Sequence, residues 1–160
     1  MFRPVVIAAL FMAAALPAGA QNVAFGGMKA DTSLPVEMSA DSLSVNQANG
    51  EAVFTGNVII AQGEMKLQAG EVTVVYAEGG QQKIQTLKAK GGVVLVSGPD
   101  AAEASEAVYD VTSGVIDLAG DVVLTQGQNV LTGDKMQVQL ADGTAQVQGR
   151  VRSVLQPAGN

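Results

Sequence analysis

The side chains with most chemical potential in this sequence are carboxylates. Glu37, Glu51, Glu64 and Glu71 lie in the first half, while Asp41, Asn57, Asp121 and Asp134 recur at equivalent places along the chain. Two carboxylates suffice for glycoside hydrolysis, and a set of oxygens suffices for Ca or Mg. The four glutamates, however, show no spacing that singles out an acid/base pair. The Asp and Asn positions stand beside glycines and other small residues, where such side chains hydrogen-bond local backbone in turns and bulges. They also do not follow the Ca-binding nonapeptide pattern of β-helix repeats. With 0 His and 0 Cys, zinc sites of the usual N/S type, disulfides, and Cys/His or Ser-His-Asp nucleophiles are excluded. No metal, cofactor or catalysis is expected. A formal charge of −6 argues against nucleic acid as a partner, because phosphate binding needs a basic surface.

The first twenty residues read as a leader rather than as part of a fold. Arg3 supplies a positive start, Val5 to Leu16 is an apolar run, and Pro17 leads into Ala18-Gly19-Ala20. That order is the pattern of a cleavable secretory signal peptide over residues 1–20, with Gln21 the expected first mature residue. The run is too short to span a bilayer, which takes about 20 residues. No Cys follows it for lipid attachment. Removing Arg3 leaves 8 basic against 15 acidic residues, a net −7.

Self-similarity organises the rest. Gly56-Asn57-Val58-Ile59-Ile60-Ala61-Gln62-Gly63 returns as Gly120-Asp121-Val122-Val123-Leu124-Thr125-Gln126-Gly127, and Gly91-Gly92-Val93-Val94-Leu95-Val96-Ser97-Gly98 resembles both. Four units follow, anchored at Ala40/Gly50/Gly56, Ala69/Gly79/Gly91, Ala104/Gly114/Gly120 and Gly133/Gly143/Gly149, the second with an insertion near Gly80-Gln81-Gln82-Lys83. Within each unit apolar residues alternate with polar ones, which is the period of a strand. No helical stripe survives beyond the leader.

The alternation changes phase once per unit, just after the small residue and next to Asp41, Gly70, Ser105 or Asp134. An extra residue at a bulge or corner would re-aim the strand while keeping its apolar side inward. The glycine ten residues on, as in Asn49-Gly50 and Asp142-Gly143, reads as a hairpin turn. The expectation is an all-β chain of some ten short antiparallel strands between Val36 and Val154. A flexible segment at 21–34 precedes them and a flexible tail at 156–160 follows.

The shared phase selects one face. Met38, Val45, Phe54, Ile60, Leu67, Val74, Tyr76, Leu95, Ile116, Leu118, Leu124, Leu131, Met136, Val138 and Leu140 are expected to line one continuous apolar interior. With only 4% aromatics, that interior is aliphatic and flexible, suited to acyl chains more than to flat rings. An ordinary core of aliphatics explains the same composition. Lys88 and Lys90 alternate with Leu87 and Ala89 and should face solvent, as a solvated edge or as contacts to anionic sugar phosphates at a groove rim.

Three phrases together resemble a known family. Pro35-Val36-Glu37-Met38-Ser39-Ala40-Asp41-Ser42-Leu43, then Gly50-Glu51-Ala52-Val53-Phe54-Thr55-Gly56-Asn57-Val58, then Gln62-Gly63 with Ala69 are similar to the LptA/OstA-like family of lipopolysaccharide transport proteins. The resemblance spans about residues 35–155. It implies a semi-open, V-shaped antiparallel β-jellyroll built from repeated strand units, and an apolar groove that carries lipopolysaccharide across the periplasm. It also implies head-to-tail self-association, with docking to inner-membrane and outer-membrane transport components. An inner-membrane relative would keep its N-terminal helix, and an outer-membrane one would continue into a barrel. A cleavage site and 160 residues fit the soluble periplasmic bridge best.

An open roll leaves two edges for partner contact by strand addition. Val36, Glu37 and Met38 are expected at one end, and Val147, Arg150, Val151 and Arg152 at the other. Acidic Glu37 opposite basic Arg150 and Arg152 favours head-to-tail over like-end pairing. The competing readings are a structural β-repeat or adhesin-type exported protein, the related periplasmic domain of an inner-membrane transport partner, and a carbohydrate-acting enzyme using two carboxylates.

Overall fold

Eleven strands form, and no helix occurs among the described residues: β1 (Gln21–Ala24), β2 (Glu37–Ser39), β3 (Ser42–Asn46), β4 (Glu51–Gln62), β5 (Met65–Tyr76), β6 (Ile84–Ser97), β7 (Asp100–Asp110), β8 (Val115–Gln126), β9 (Asn129–Gln139), β10 (Thr144–Gln148) and β11 (Arg152–Val154). The computed structural model describes residues 21–24 (as backbone), 31–78 and 83–157. The expected leader, residues 1–20, and the last three residues of the tail lie outside them. One antiparallel sheet runs β1-β10-β9-β8-β7-β6-β5-β4-β2, with β3 also on β4 and β11 also on β9. Met38 lies opposite Ile60 and Leu43 opposite Phe54, so β2 and β3 divide the length of β4 between them.

The central strands are longer than the sequence pattern suggested. β4 to β9 run 11 to 14 residues each, because the ladders continue through the glycines instead of breaking there. Gly56-Asn57 on β4 oppose Gly70, Gly91-Gly92 on β6 oppose Ser105, and Gly120-Asp121 on β8 oppose Asp134. The extra residue of each ladder therefore sits on the neighbouring strand, facing the residue where the phase changes. After β10, Gly149-Arg150 repeat the arrangement: Asp134 N donates to Gly149 O at 2.9 Å, as Asp41 N does to Gly56 O.

All eight doublet residues have φ between +44° and +86°, a region open to glycine and tolerated by Asn and Asp. At Gly56 there is a second constraint, since a Cβ there would lie 2.5 Å from Asp41 Oδ2. Together these bulges draw one bend line across the sheet.

The bend divides the sheet into two arms that fold over each other. The first arm ends where β3 passes to β4, β5 to β6, β7 to β8 and β9 to β10, the second where β4 passes to β5, β6 to β7 and β8 to β9. Tyr109 shares a row with Leu87, Val74 and Ala52 in the first arm. Gln62 stands ten residues beyond Ala52 on β4, roughly 33 Å along a straight strand. Yet Tyr109 Oη lies 2.6 Å from Gln62 Oε1, which requires the arms to face each other. The first and last strands of the sheet do not pair with one another. The result is a semi-open roll, not a closed barrel.

Candidate functional site

The inward faces of both arms merge into one aliphatic cluster. Ile60, Leu67, Val74, Leu95, Ile116, Leu118, Leu124, Leu131, Met136, Val138 and Leu140 are buried in it, and Met38, Phe54 and Tyr76 pack against it half-buried. Val45 sits opposite buried Ala52 but is 53% exposed, because β3 has no further strand beside it. The same alternation puts Val58, Val72, Leu87 and Val122 inward, and Tyr109 lies inside with them; Met65 and Val93, which sequence reasoning did not place inward, are buried in the same cluster. Met65 and Val93 stand two residues before Leu67 and Leu95, in the inward phase of β5 and β6.

The cluster is open at both ends. At the β3 end Leu43 is 55% exposed. At the other, Leu124, Leu131, Val130 and Leu155 line a hollow of about 200 Å³ beside β11. From β2 to β1 nine strands lie side by side, a span of roughly 40 Å at ordinary strand spacing.

The expected edge residues divide into two sets. Val36 and Met38 are half-buried and Glu37 is exposed on β2, which among the described residues pairs with β4 alone. Arg150, Val151 and Arg152 are exposed at the opposite end. Val147 is a correction. It is fully buried in the interior, and its backbone is covered by β1, where Gln21 pairs with it. Residues 21–24 form a strand on β10, so β10 is not the last strand of that arm.

Polar side chains concentrate in two places. The first is the bend. Asn57 Nδ2 donates to Asp41 Oδ2 at 2.9 Å, and Arg150 grips Asp134 through Nη2 at 2.6 Å and Nε at 3.1 Å. Those hydrogen bonds, chiefly, hold the Asp134 carboxyl below its ordinary range. Two outer hollows of about 350 and 340 Å³ lie over this line, one at Asn57, Gln68, Gly70 and Gly92, the other at Asp121, Thr132, Asp134 and Arg150. They occupy equivalent positions two repeats apart and are larger than the end hollow. Both lie on the outward face, away from the aliphatic cluster. Lys88 and Lys90 are also outward and exposed, and Lys90 Nζ pairs with Glu71 at 3.0 Å.

The second place is the inward lip of the second arm. Gln62, Met65, Ser97, Asp100, Gln126 and Asn129 form one row across the sheet. Gln62, Ser97 and Asp100 are buried. Among the described residues no cluster of three or more acidic side chains is arranged to hold a metal.

The fold is thus an antiparallel semi-open β-roll with unpaired end strands, an aliphatic interior across its width and inward polar groups gathered at one lip. Residues 37–144 match the family model described as LptA/(LptD N-terminal domain) LPS transport protein. The chain belongs to this LptA/LptD N-terminal-domain family. It is 29% identical to the lipopolysaccharide export system protein LptA of Escherichia coli (strain K12), over 82% of this chain and 70% of that protein. It is 33% identical to the uncharacterized protein R00383 of Rhizobium meliloti (strain 1021), over 94% of this chain and 87% of that protein. A shorter match, 43% identical over 45% of this chain, covers 10% of the LPS-assembly protein LptD of Salmonella choleraesuis. The crystal structure of LptH, the LptA-homologous periplasmic component of lipopolysaccharide transport in Pseudomonas aeruginosa, shares the fold with a TM-score of 0.69. It is 22% identical and covers 80% of this chain and 99% of that one.

Proposed function

We propose that this protein is a periplasmic carrier that holds lipopolysaccharide by its acyl chains and hands it from inner-membrane to outer-membrane transport components, without catalysing a reaction. The observation that carries this reading is the unbroken aliphatic cluster from Met38 and Phe54 at one end to Leu131 and Leu140 at the other. Burial at about 0.8 kcal/mol per CH₂ makes such an interior the main source of affinity for acyl chains. A net-acidic chain gains little from phosphate groups, which leaves the apolar contacts to do the holding. The leader pattern of residues 1–20 and the LptA relative support export to the periplasm. Open ends with unpaired strands support head-to-tail assembly into a bridge and docking of both membrane partners at those ends.

Photo-crosslinking residues placed singly at Phe54, Ile60, Leu118 or Leu124 should capture lipopolysaccharide in a Gram-negative host. The same residue at outward Thr55, Asn57 or Thr125 should not. Capture confined to the outward positions would reverse the assigned faces, and capture at none of them would overturn the carrier reading.

A further inference from the structure

Acyl chains meet an interior that the protein's own side chains fill: Leu95, Ile116 and Val138 are completely buried. Along the length of the roll, space for them opens where the arms part, and the tips of the arms meet at a polar contact. Tyr109 Oη donates to Gln62 Oε1 at 2.6 Å, and both residues are 1% exposed. Burial, helped by the Asp110 charge, pushes the Tyr109 phenol up, so it stays a donor at neutral pH.

The same Gln62 amide holds a strap. Its Nε2 donates to the carbonyls of Thr32 at 3.2 Å and Leu34 at 2.9 Å. Thr32 and Leu34 belong to a turn closed on itself, in which Ser33 N donates to Asp31 Oδ1 at 3.0 Å and Leu34 N to Asp31 O at 3.2 Å. This turn touches both arms. A Cβ on Gly63, at a tip of the second arm, would lie 3.0 Å from Leu34 Cδ1, and one on Gly114, at a tip of the first, 3.3 Å from Thr32 Cγ2.

The two lips of the seam differ in chemistry. Tyr76, Ile84, Val111 and Leu140 near the tips of the first arm belong to the apolar cluster, whereas the tip row of the second arm carries Gln62, Ser97 and Asp100. Ser97 Oγ is buried with no hydrogen-bond partner, a cost that a native site accepts where another group comes to bond it.

We infer that this seam is a lateral mouth for an amphiphile, latched by the Gln62–Tyr109 bond and the 31–34 strap. When the latch opens, chains pass inward and the lip of Gln62, Ser97 and Asp100 hydrogen-bonds hydroxyl and amide groups at the head. The inference rests on the carrier reading. Threading from an end would drag a hydrated head group through roughly 40 Å of aliphatic interior, against its desolvation. A mouth running along the roll leaves the head outside throughout.

The chain has no native Cys, so Gln62→Cys with Tyr109→Cys can be bridged by a bis-maleimide to lock the seam. Uptake of fluorescent lipopolysaccharide should fall at least tenfold on bridging, while the same variant with each thiol capped singly loads at least as fast as the unaltered protein. Tyr109→Phe, which keeps the ring and removes only the donor, should load about fivefold faster, the equivalent of one neutral hydrogen bond. Equal rates for bridged, capped and unaltered protein would overturn the mouth. Uptake of N-phenylnaphthylamine, an apolar dye without a head group, separates the two claims. Dye uptake indifferent to the bridge sinks the latch; bridge-sensitive dye uptake by a protein that takes up no lipopolysaccharide sinks only the carrier reading.

Discussion

Single residues at the bend carry their reasons in their surroundings. Gly56 and Gly92 both have left-handed backbone, at φ +82° and +81°. A Cβ on Gly92 would meet nothing within 4 Å, whereas one on Gly56 would overlap Asp41. Gly92→Ala should therefore cost about 1 kcal/mol, the backbone term alone. Gly56→Ala should cost about 2–4 kcal/mol, because crowding adds to it. Urea unfolding of the two variants checks the difference, and equal losses would mean that the overlap with Asp41 relaxes freely.

The Asp134–Arg150 pair gives a pH dependence with a definite sign. Its carboxyl is held below the ordinary range by the Arg150 hydrogen bonds, so its contribution is complete above the unfolded aspartate value. It is lost as pH falls through the lowered one. Asp134→Asn should remove that part of the acid-side loss in a stability–pH profile, and an acid limb identical to that of the unaltered protein would show that the pair contributes nothing. The recurrence of Asp and Asn beside glycine was plain in the sequence. Which of them pair across strands was not, since Asp41 with Asn57 and Asp134 with Arg150 are each sixteen residues apart.

Strands are the elements here, and each of the long ones serves two arms. Alternation sorts their side chains so sharply that Leu124 is 1% exposed while Ile59, an outward neighbour of Val58 and Ile60, is 38% exposed. Leu124→Ala should cost about 2–5 kcal/mol. Ile59→Ala should cost less than about 1 kcal/mol, as a surface change does. Thermal and urea unfolding distinguish these, and a large loss at Ile59 would indicate that the outer face is covered in the working protein. Strand identity and inward face were legible from period two alone. Strand length was not: glycines that usually stop a strand here sit in bulges that let it continue, and only the register of the neighbouring strand shows which of the two a glycine does.

For the whole molecule, the outcome depends on edges that remain unpaired. Among the described residues β2 and β3 pair with β4 alone, and Leu43 and Val45 on β3 are each more than half exposed on the inward face. If units join end to end there, the next copy covers these side chains and extends the interior. Sedimentation at rising concentration should show species that lengthen without closing, as head-to-tail contacts do. Leu43→Arg with Val45→Arg should shorten them while leaving the unfolding midpoint nearly unchanged, because neither side chain is packed in the isolated chain. Strictly monomeric behaviour of the unaltered protein at every concentration would rule out the end-to-end contact.

Composition, alternation and the glycine repeats determined, before any coordinates, that the chain is all-β, that one aliphatic face repeats four times, and that its chemistry is not that of His or Cys. Those properties are local: each depends on residues within one strand or one turn. The tertiary structure alone decided that two rows far apart on β4 and β7 would meet at Gln62 and Tyr109. It also decided that Thr32 and Leu34 would bridge the arm tips, and that β1 would cover β10 and bury Val147. Each of these follows from how far the sheet bends and twists over many strands, and small rotations at successive bulges add up over the whole sheet, leaving no periodicity for the sequence to display.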